Sequence, residues 1–264
     1  MSTQQLNGTT AKLLVLVTGA NQGLGYYASQ QLASTGKYHI FLGSRDLNKA
    51  HKAIQQLVAD DSVKVSEHDL EPIQINVTSD DSIKAAAKHV ADKYGYLDIL
   101  MNNAGIAAQQ AANADGTGPT LRELYHRHYD TNLFGAAVVT EAFLPLLKKS
   151  TTEGGKRIAF TSSALSSLEW AATLDGEMSG ANYPLYRSTK TAENMVMIHY
   201  ARSLEAEGFV VSASDPGYCA TNLNYYHGAK DPRQGAKALV IAATGVKEQI
   251  HGRVVDDESN AEPW

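Results

Sequence analysis

The sequence predicts an α/β protein built on a doubly wound parallel sheet. Short apolar runs rich in Val, Ile and Leu alternate with helix-like stretches from end to end. The apolar runs are continuous rather than alternating, as expected for strands covered on both faces. No linker, internal repeat or low-complexity tract interrupts them. Such alternation implies right-handed βαβ units, and one domain is expected over residues 1–264, with residues 1–11 a flexible tail.

The elements follow in order. Residues 13–17 read as the first strand and 23–35 as a helix. A strand at 38–42 precedes a helix at 47–58. The third strand is expected at 73–77, its helix at 82–94, and the fourth strand at 97–101. A loop rich in Ala, Gly, Gln and Asn covers about 107–119. One long helix is expected from 121 to 147, with Pro145 near its end. Residues 157–161 form a strand, 186–206 a helix, 209–214 a strand, 234–243 a helix and 252–255 a last short strand.

Composition narrows the function. The net charge of −5 and the absence of any basic run argue against nucleic acid, which needs a basic face. A single cysteine, Cys219, excludes an internal disulfide and a cysteine-built zinc site. The nine histidines have no ligand spacing, so no metal is expected. Residues 1–12 lack the apolar core of a signal peptide, and the apolar runs are too short to span a membrane. A cytoplasmic location is expected. Asn7 and Asn76 begin glycosylation-type triplets, which matter only in a secreted chain.

After the first strand comes Thr18-Gly19-Ala20-Asn21-Gln22-Gly23-Leu24-Gly25, and then a helix. The glycines of this turn allow the backbone to approach a ligand closely. Unpaired N–H groups and the helix dipole favour an anion there. A pyrophosphate is the expected ligand, and the architecture becomes a single-domain Rossmann-type fold, whose ligands lie at the carboxyl ends of the strands. The second strand ends in Ser44 and Arg45, where NAD sites usually carry a carboxylate. A hydroxyl and a guanidinium suit a 2′-phosphate, so NADPH/NADP+ is the expected cofactor. Asp46, one residue later, reads as the cap of the next helix.

Further signals come in a fixed order. They are Asn102-Asn103-Ala104-Gly105 after the fourth strand, Asn132 inside a helix, and Ser162-Ser163 after the fifth strand. Tyr186-Arg187-Ser188-Thr189-Lys190 opens a helix, and Pro216-Gly217 follows the sixth strand. From about residue 13 to 255 the chain resembles the short-chain dehydrogenase/reductase family, in particular its NADPH-dependent carbonyl reductase branch. A second Tyr-x-x-x-Lys set, Tyr226 to Lys230, has no serine upstream and reads as coincidence.

The resemblance implies an oxidoreductase that reduces a ketone or aldehyde by hydride transfer. Tyr186 would donate the proton. A free phenol, with a pKa of about 10, is poorly matched to neutral pH, and the ammonium of Lys190 is expected to lower it. Lys190 would also hold the nicotinamide ribose, Ser163 would orient the substrate oxygen, and Asn132 would hold a water linking Lys190 to solvent. Gly19, Asn21, Gln22, Gly23, Leu24 and Gly25 would bind pyrophosphate, and Ser44 and Arg45 the 2′-phosphate. Asn103, Ala104 and Gly105 would line the adenosine side, and Pro216, Gly217 and Thr221 the nicotinamide amide. Where relatives commonly have Asp near the adenine, this chain has Asn76, followed by Val77.

The segment between Ser163 and Tyr186 is longer than usual for the family, and the region after Thr221 is short. An open site for a bulky or aromatic carbonyl compound is expected, walled by Leu165, Trp170, Tyr218 and Tyr225. Cys219 reads as a structural, inert thiol. Two other readings stay open: reduction of an imine or specialised biosynthetic intermediate, and a non-catalytic NADPH sensor. Monomer and homo-oligomer are equally open.

Overall fold

The computed structural model describes residues 12–107 and 118–264. The expected tail and most of the expected polar loop lie outside the described residues. Seven parallel strands form one sheet: β1 (Leu13–Val17), β2 (Tyr38–Ser44), β3 (Leu70–Gln74), β4 (Ile99–Asn102), β5 (Arg157–Thr161), β6 (Val210–Ser214) and β7 (Val254–Val255). Their order across the sheet is β3-β2-β1-β4-β5-β6-β7. The order reverses between β1 and β4, where Val15 pairs with Ile99 and Val17 with Met101. A crevice at the carboxyl ends of these two strands is where such a sheet binds ligands.

The continuous apolar runs have a simple cause. Along β1, Leu14 and Leu16 enter one core while Val15 and Val17 enter the other. The first core packs against α3 (Asp80–Lys93), α5 (Gly135–Lys148) and α7 (Pro184–Ser203), around Phe41, Phe143, Phe160 and Phe209. The second packs against α1 (Gly23–Ser34), α2 (Leu47–Val58) and α8 (Pro232–Thr244). Each fully buried phenylalanine contributes about 2 to 3 kcal/mol. The helices begin on legible signals. Asp46 accepts from Asn48 N and Lys49 N at the start of α2, as expected from the sequence. Thr120 and Glu123 form a reciprocal capping box on α4 (Leu121–Tyr129), and Pro184 opens α7.

Two expectations need correction. The third strand is Leu70–Gln74, earlier than 73–77, because its pairing with β2 begins at Ile40 opposite Leu70. The expected long helix is two helices, α4 and α5, joined by a π-turn at Asp130–Phe134. The segment after Ser163 contains a short helix, α6 (Leu168–Thr173), capped by Ser167. A further short helix, α9 (Lys247–Ile250), precedes β7. No helix of the described residues is long and apolar enough to cross a membrane.

Candidate active site

The glycine turn leaves β1 at the sheet's reversal point. Gly19 and Gly23 have φ of +63° and +61°, a left-handed region that costs a side chain strain. Gly25 is required for a different reason: a Cβ there would lie 2.4 Å from Asn103 Nδ2 and 2.9 Å from Gly19 O. Gln22 precedes α1 without a side-chain capping bond, so its first N–H groups stay available. Leu24 instead turns its side chain toward α8, within 3.3 Å of a Cβ placed on Gly235.

Asn103 holds this turn in place. Its Nδ2 donates to Thr18 O at 2.8 Å and Gly19 O at 3.2 Å. Thr18 Oγ1 accepts from Asn103 N and Ala104 N at 2.9 and 3.0 Å. The amide side chain of Asn103 is thus committed to the scaffold, and Thr18 is a partner that the sequence reading missed. At the end of β2, Ser44 is buried and accepts from Asp46 N at 3.2 Å, whereas Arg45 is exposed. The Arg45 guanidinium has no ion pair or hydrogen bond among the described residues. Asn76 accepts from Thr78 N and Thr78 Oγ1, which starts the turn into α3. Val77 packs against Gly135, whose Cβ would meet it at 3.0 Å.

Asn132 lies at the centre of the π-turn and is fully buried. Its amide bonds Ile106 at both backbone atoms and donates to Thr189 Oγ1 at 3.0 Å. A π-turn inserts one residue into the helical ladder and often marks a functional position. Gly105 brings the pieces together: a Cβ there would lie 3.4 Å from Asn132 Oδ1 and 3.8 Å from Lys190 Nζ.

The two serines after β5 separate clearly. Ser162 is buried and donates to Asn194 Oδ1 at 2.6 Å. Ser163 is partly exposed, its Oγ accepts from Leu165 N at 3.2 Å, and it lies near enough to the Tyr186 hydroxyl to lower its pKa. Pro184 at the start of α7 places Tyr186 in the first turn and Lys190 one turn on. Lys190 Nζ donates to Thr161 O at 2.6 Å and to Glu193 Oε2 at 2.8 Å.

The acidity of Tyr186 departs from expectation. Burial raises its pKa, and this outweighs the lowering pull of Lys190; Glu193 and Asp215 raise it further. The ammonium is already closed on a carboxylate, so it acts on the phenol less than a free cation would. Glu193 was missed in the sequence. Its signal was a carboxylate on the helix stripe that Lys190, Asn194 and Met197 bury.

Arg187 was also missed. It is 5% exposed and donates to Leu165 O at 3.1 Å and to Met178 O. The guanidinium thereby ties the long segment after Ser163 to α7. Leu165 and Trp170 are partly buried on that segment, whereas Tyr218 and Tyr225 are 54% and 67% exposed. Gly217 has φ of +73°, and Thr221 lies over the glycine turn, 3.8 Å from a Cβ placed on Gly23. Tyr226 is exposed and Lys230 pairs with Asp257 at 2.5 Å. Among the described residues no group of His, Cys, Asp and Glu is arranged to hold a metal.

A family model for short chain dehydrogenases matches residues 13–231. A relative in Penicillium roqueforti, short-chain dehydrogenase anuI, is 43% identical over 251 residues, covering 94% of this chain and 95% of its own. The short-chain dehydrogenase/reductase tropE of Talaromyces stipitatus is 33% identical, over 96% of this chain and 98% of its own. Among solved structures, an NADPH-bound carbonyl reductase from chicken fatty liver superposes with a TM-score of 0.78 at 26% identity, covering 96% of this chain and all of that one. Salutaridine reductase from Papaver somniferum shares the fold, with a TM-score of 0.74 at 22% identity over 92% of this chain and 99% of its own. With its glycine turn, its Ser163, Tyr186 and Lys190 near the carboxyl end of β5, and these matches along nearly its whole length, the chain belongs to the short-chain dehydrogenase/reductase family of oxidoreductases.

Proposed function

We propose that this protein is an NADPH-dependent carbonyl reductase that takes a ketone or aldehyde to an alcohol. One observation carries the reading: Ser163, Tyr186 and Lys190 converge with Asn132 beside the glycine turn. The likeness to an NADPH-bound carbonyl reductase supports it.

The residues fit a dinucleotide. The uncapped start of α1 and the backbone of Gly19 to Gly25 suit a pyrophosphate. Arg45, exposed and without a partner among the described residues, suits a 2′-phosphate. Asn76, Val77, Asn103, Ala104 and Gly105 border the adenosine side, and Pro216, Gly217 and Thr221 the nicotinamide side. The bound nicotinamide supplies the hydride.

Tyr186 donates its phenolic proton to the carbonyl oxygen as charge develops there. Ser163 Oγ hydrogen-bonds the same oxygen and fixes its distance from the phenol. Lys190 would hold the ribose with its third N–H, since two are spent on Thr161 O and Glu193. Both N–H groups of the Asn132 amide are spent on Ile106 O and Thr189, and its Oδ1 already accepts from Ile106 N. Leu165 and Trp170, on the segment tied down by Arg187, shape the substrate wall.

The test follows NADPH and NADH consumption with aromatic ketones, aldehydes and quinones. Wild type is expected to turn over with NADPH, and Tyr186→Phe to lose about 100-fold or more while still binding the cofactor. Arg45→Ser is expected to weaken NADPH about tenfold and leave NADH unchanged. Near-full activity in Tyr186→Phe overturns the mechanism, and preference for NADH overturns the cofactor assignment.

A further inference from the structure

Lys190 and Glu193 form an ion pair within α7, Nζ to Oε2 2.8 Å, with side chains only 4% and 3% exposed. A buried charge pair has to be held by further hydrogen bonds, and Thr161 O supplies one at 2.6 Å. Tyr186 shares the pocket, with Lys190 Nζ 5.9 Å from its ring centre. A lone ammonium at that range draws a phenol toward the phenolate. An ammonium closed on a carboxylate presents a dipole instead, and its field falls off faster.

We propose that Glu193 is a positioning residue acting through Lys190: it clamps the ammonium against Thr161 O and offsets its charge at Tyr186, so that the phenol titrates against an ion pair rather than against a lone ammonium. This rests on the reading of Tyr186 as the proton donor. The charges around the pair are few. On α7 itself Glu193 meets Lys190 and acts on Tyr186. At the end of β6, Asp215 is held by the amides of Ala164 and Gly217. On α4 and the π-turn, Arg127 and Asp130 are exposed, and His128 is buried with Nδ1 2.8 Å from Leu124 O. Burial raises Tyr186 and Glu193 opposes the pull of Lys190 upon it, while burial raises Glu193 itself and Lys190 draws it back toward the carboxylate.

The experiment titrates the near-ultraviolet phenolate absorbance of the cofactor-free protein. Wild type and Glu193→Gln are each differenced against the same background carrying Tyr186→Phe, which isolates one tyrosine among thirteen. Glu193→Gln is expected to move the Tyr186 midpoint down by about one pH unit or more, tenfold in acidity. The alkaline limb of carbonyl reduction is expected to move down with it. An unchanged midpoint in a variant with native circular dichroism overturns the proposal. Should Glu193→Gln not fold, Glu193→Asp draws the carboxylate back by one methylene and is read the same way: a smaller downward shift is expected, and none overturns it. No substrate enters the titration, so failure of the reductase reading, seen as absent turnover, is separable from failure of this one.

Discussion

Asn132 holds the backbone of Ile106 at both ends: Oδ1 accepts from Ile106 N at 2.8 Å, and Nδ2 donates to Ile106 O at 2.9 Å. This pair joins the π-turn between α4 and α5 to the loop after β4, and Gly105 carries that junction up to Lys190. Replacing Asn132 by Ala strands both backbone groups and takes a donor from the Thr189 hydroxyl, which keeps its bond to Tyr186 O. The expected cost is about 2 to 4 kcal/mol in denaturant unfolding, together with a fall in kcat. Unchanged stability with unchanged kcat would show that the loop after β4 holds itself.

Gly25→Ala tests the tightest contact of the glycine turn. Its methyl would sit 2.4 Å from Asn103 Nδ2, so the amide must swing off Thr18 O and Gly19 O. Nucleotide affinity, followed by fluorescence titration, is expected to fall about tenfold or more, because the amides facing the pyrophosphate lose their alignment. Affinity equal to wild type would mean that the turn tolerates the shift.

Glu71 governs part of the acid stability, far from the proposed site. Its partial burial alone would raise its pKa, but hydrogen bonds from Tyr94, His89 and Lys93 bring the carboxyl down to about 2. A depressed folded value means stability that is present above the unfolded pKa of about 4.5 and is lost as pH falls toward about 2. Discounted for solvent screening, the contribution is about 1 to 2 kcal/mol. Glu71→Gln is therefore expected to lower stability at neutral pH and to flatten its loss between those limits. An acid profile parallel to wild type in chemical denaturation would refute the assignment.

Cys219 is expected to be inert in the folded protein. It is 4% exposed, its Sγ donates to Pro216 O at 3.1 Å, and burial pushes the thiol up to about 11. A disulfide reagent at neutral pH should react slowly with native protein and at once in denaturant. Fast reaction in the native state would place the thiol at a surface.

Most of the fold was legible in the sequence because its signals are local. Continuous Val, Ile and Leu runs require cover on both faces, and Asp46, Thr120 and Pro184 mark helix starts by their own chemistry. The residues of the candidate site were legible too, since glycines after a first strand and a Tyr-Lys pair one turn apart are short-range patterns. Only tertiary structure decided the rest. The resemblance singled out Ser163, but that Ser162 is tied down by Asn194 is a contact between different elements. The π-turn at Asn132 faces Ile106 on another segment, a contact that a local helical period does not encode. That Tyr186 is made less acid rather than more depends on burial and on the closing of Glu193 onto Lys190, both properties of the folded pocket. A sequence specifies which charges exist; the dielectric around them and the partner each one meets are set only when the chain is packed.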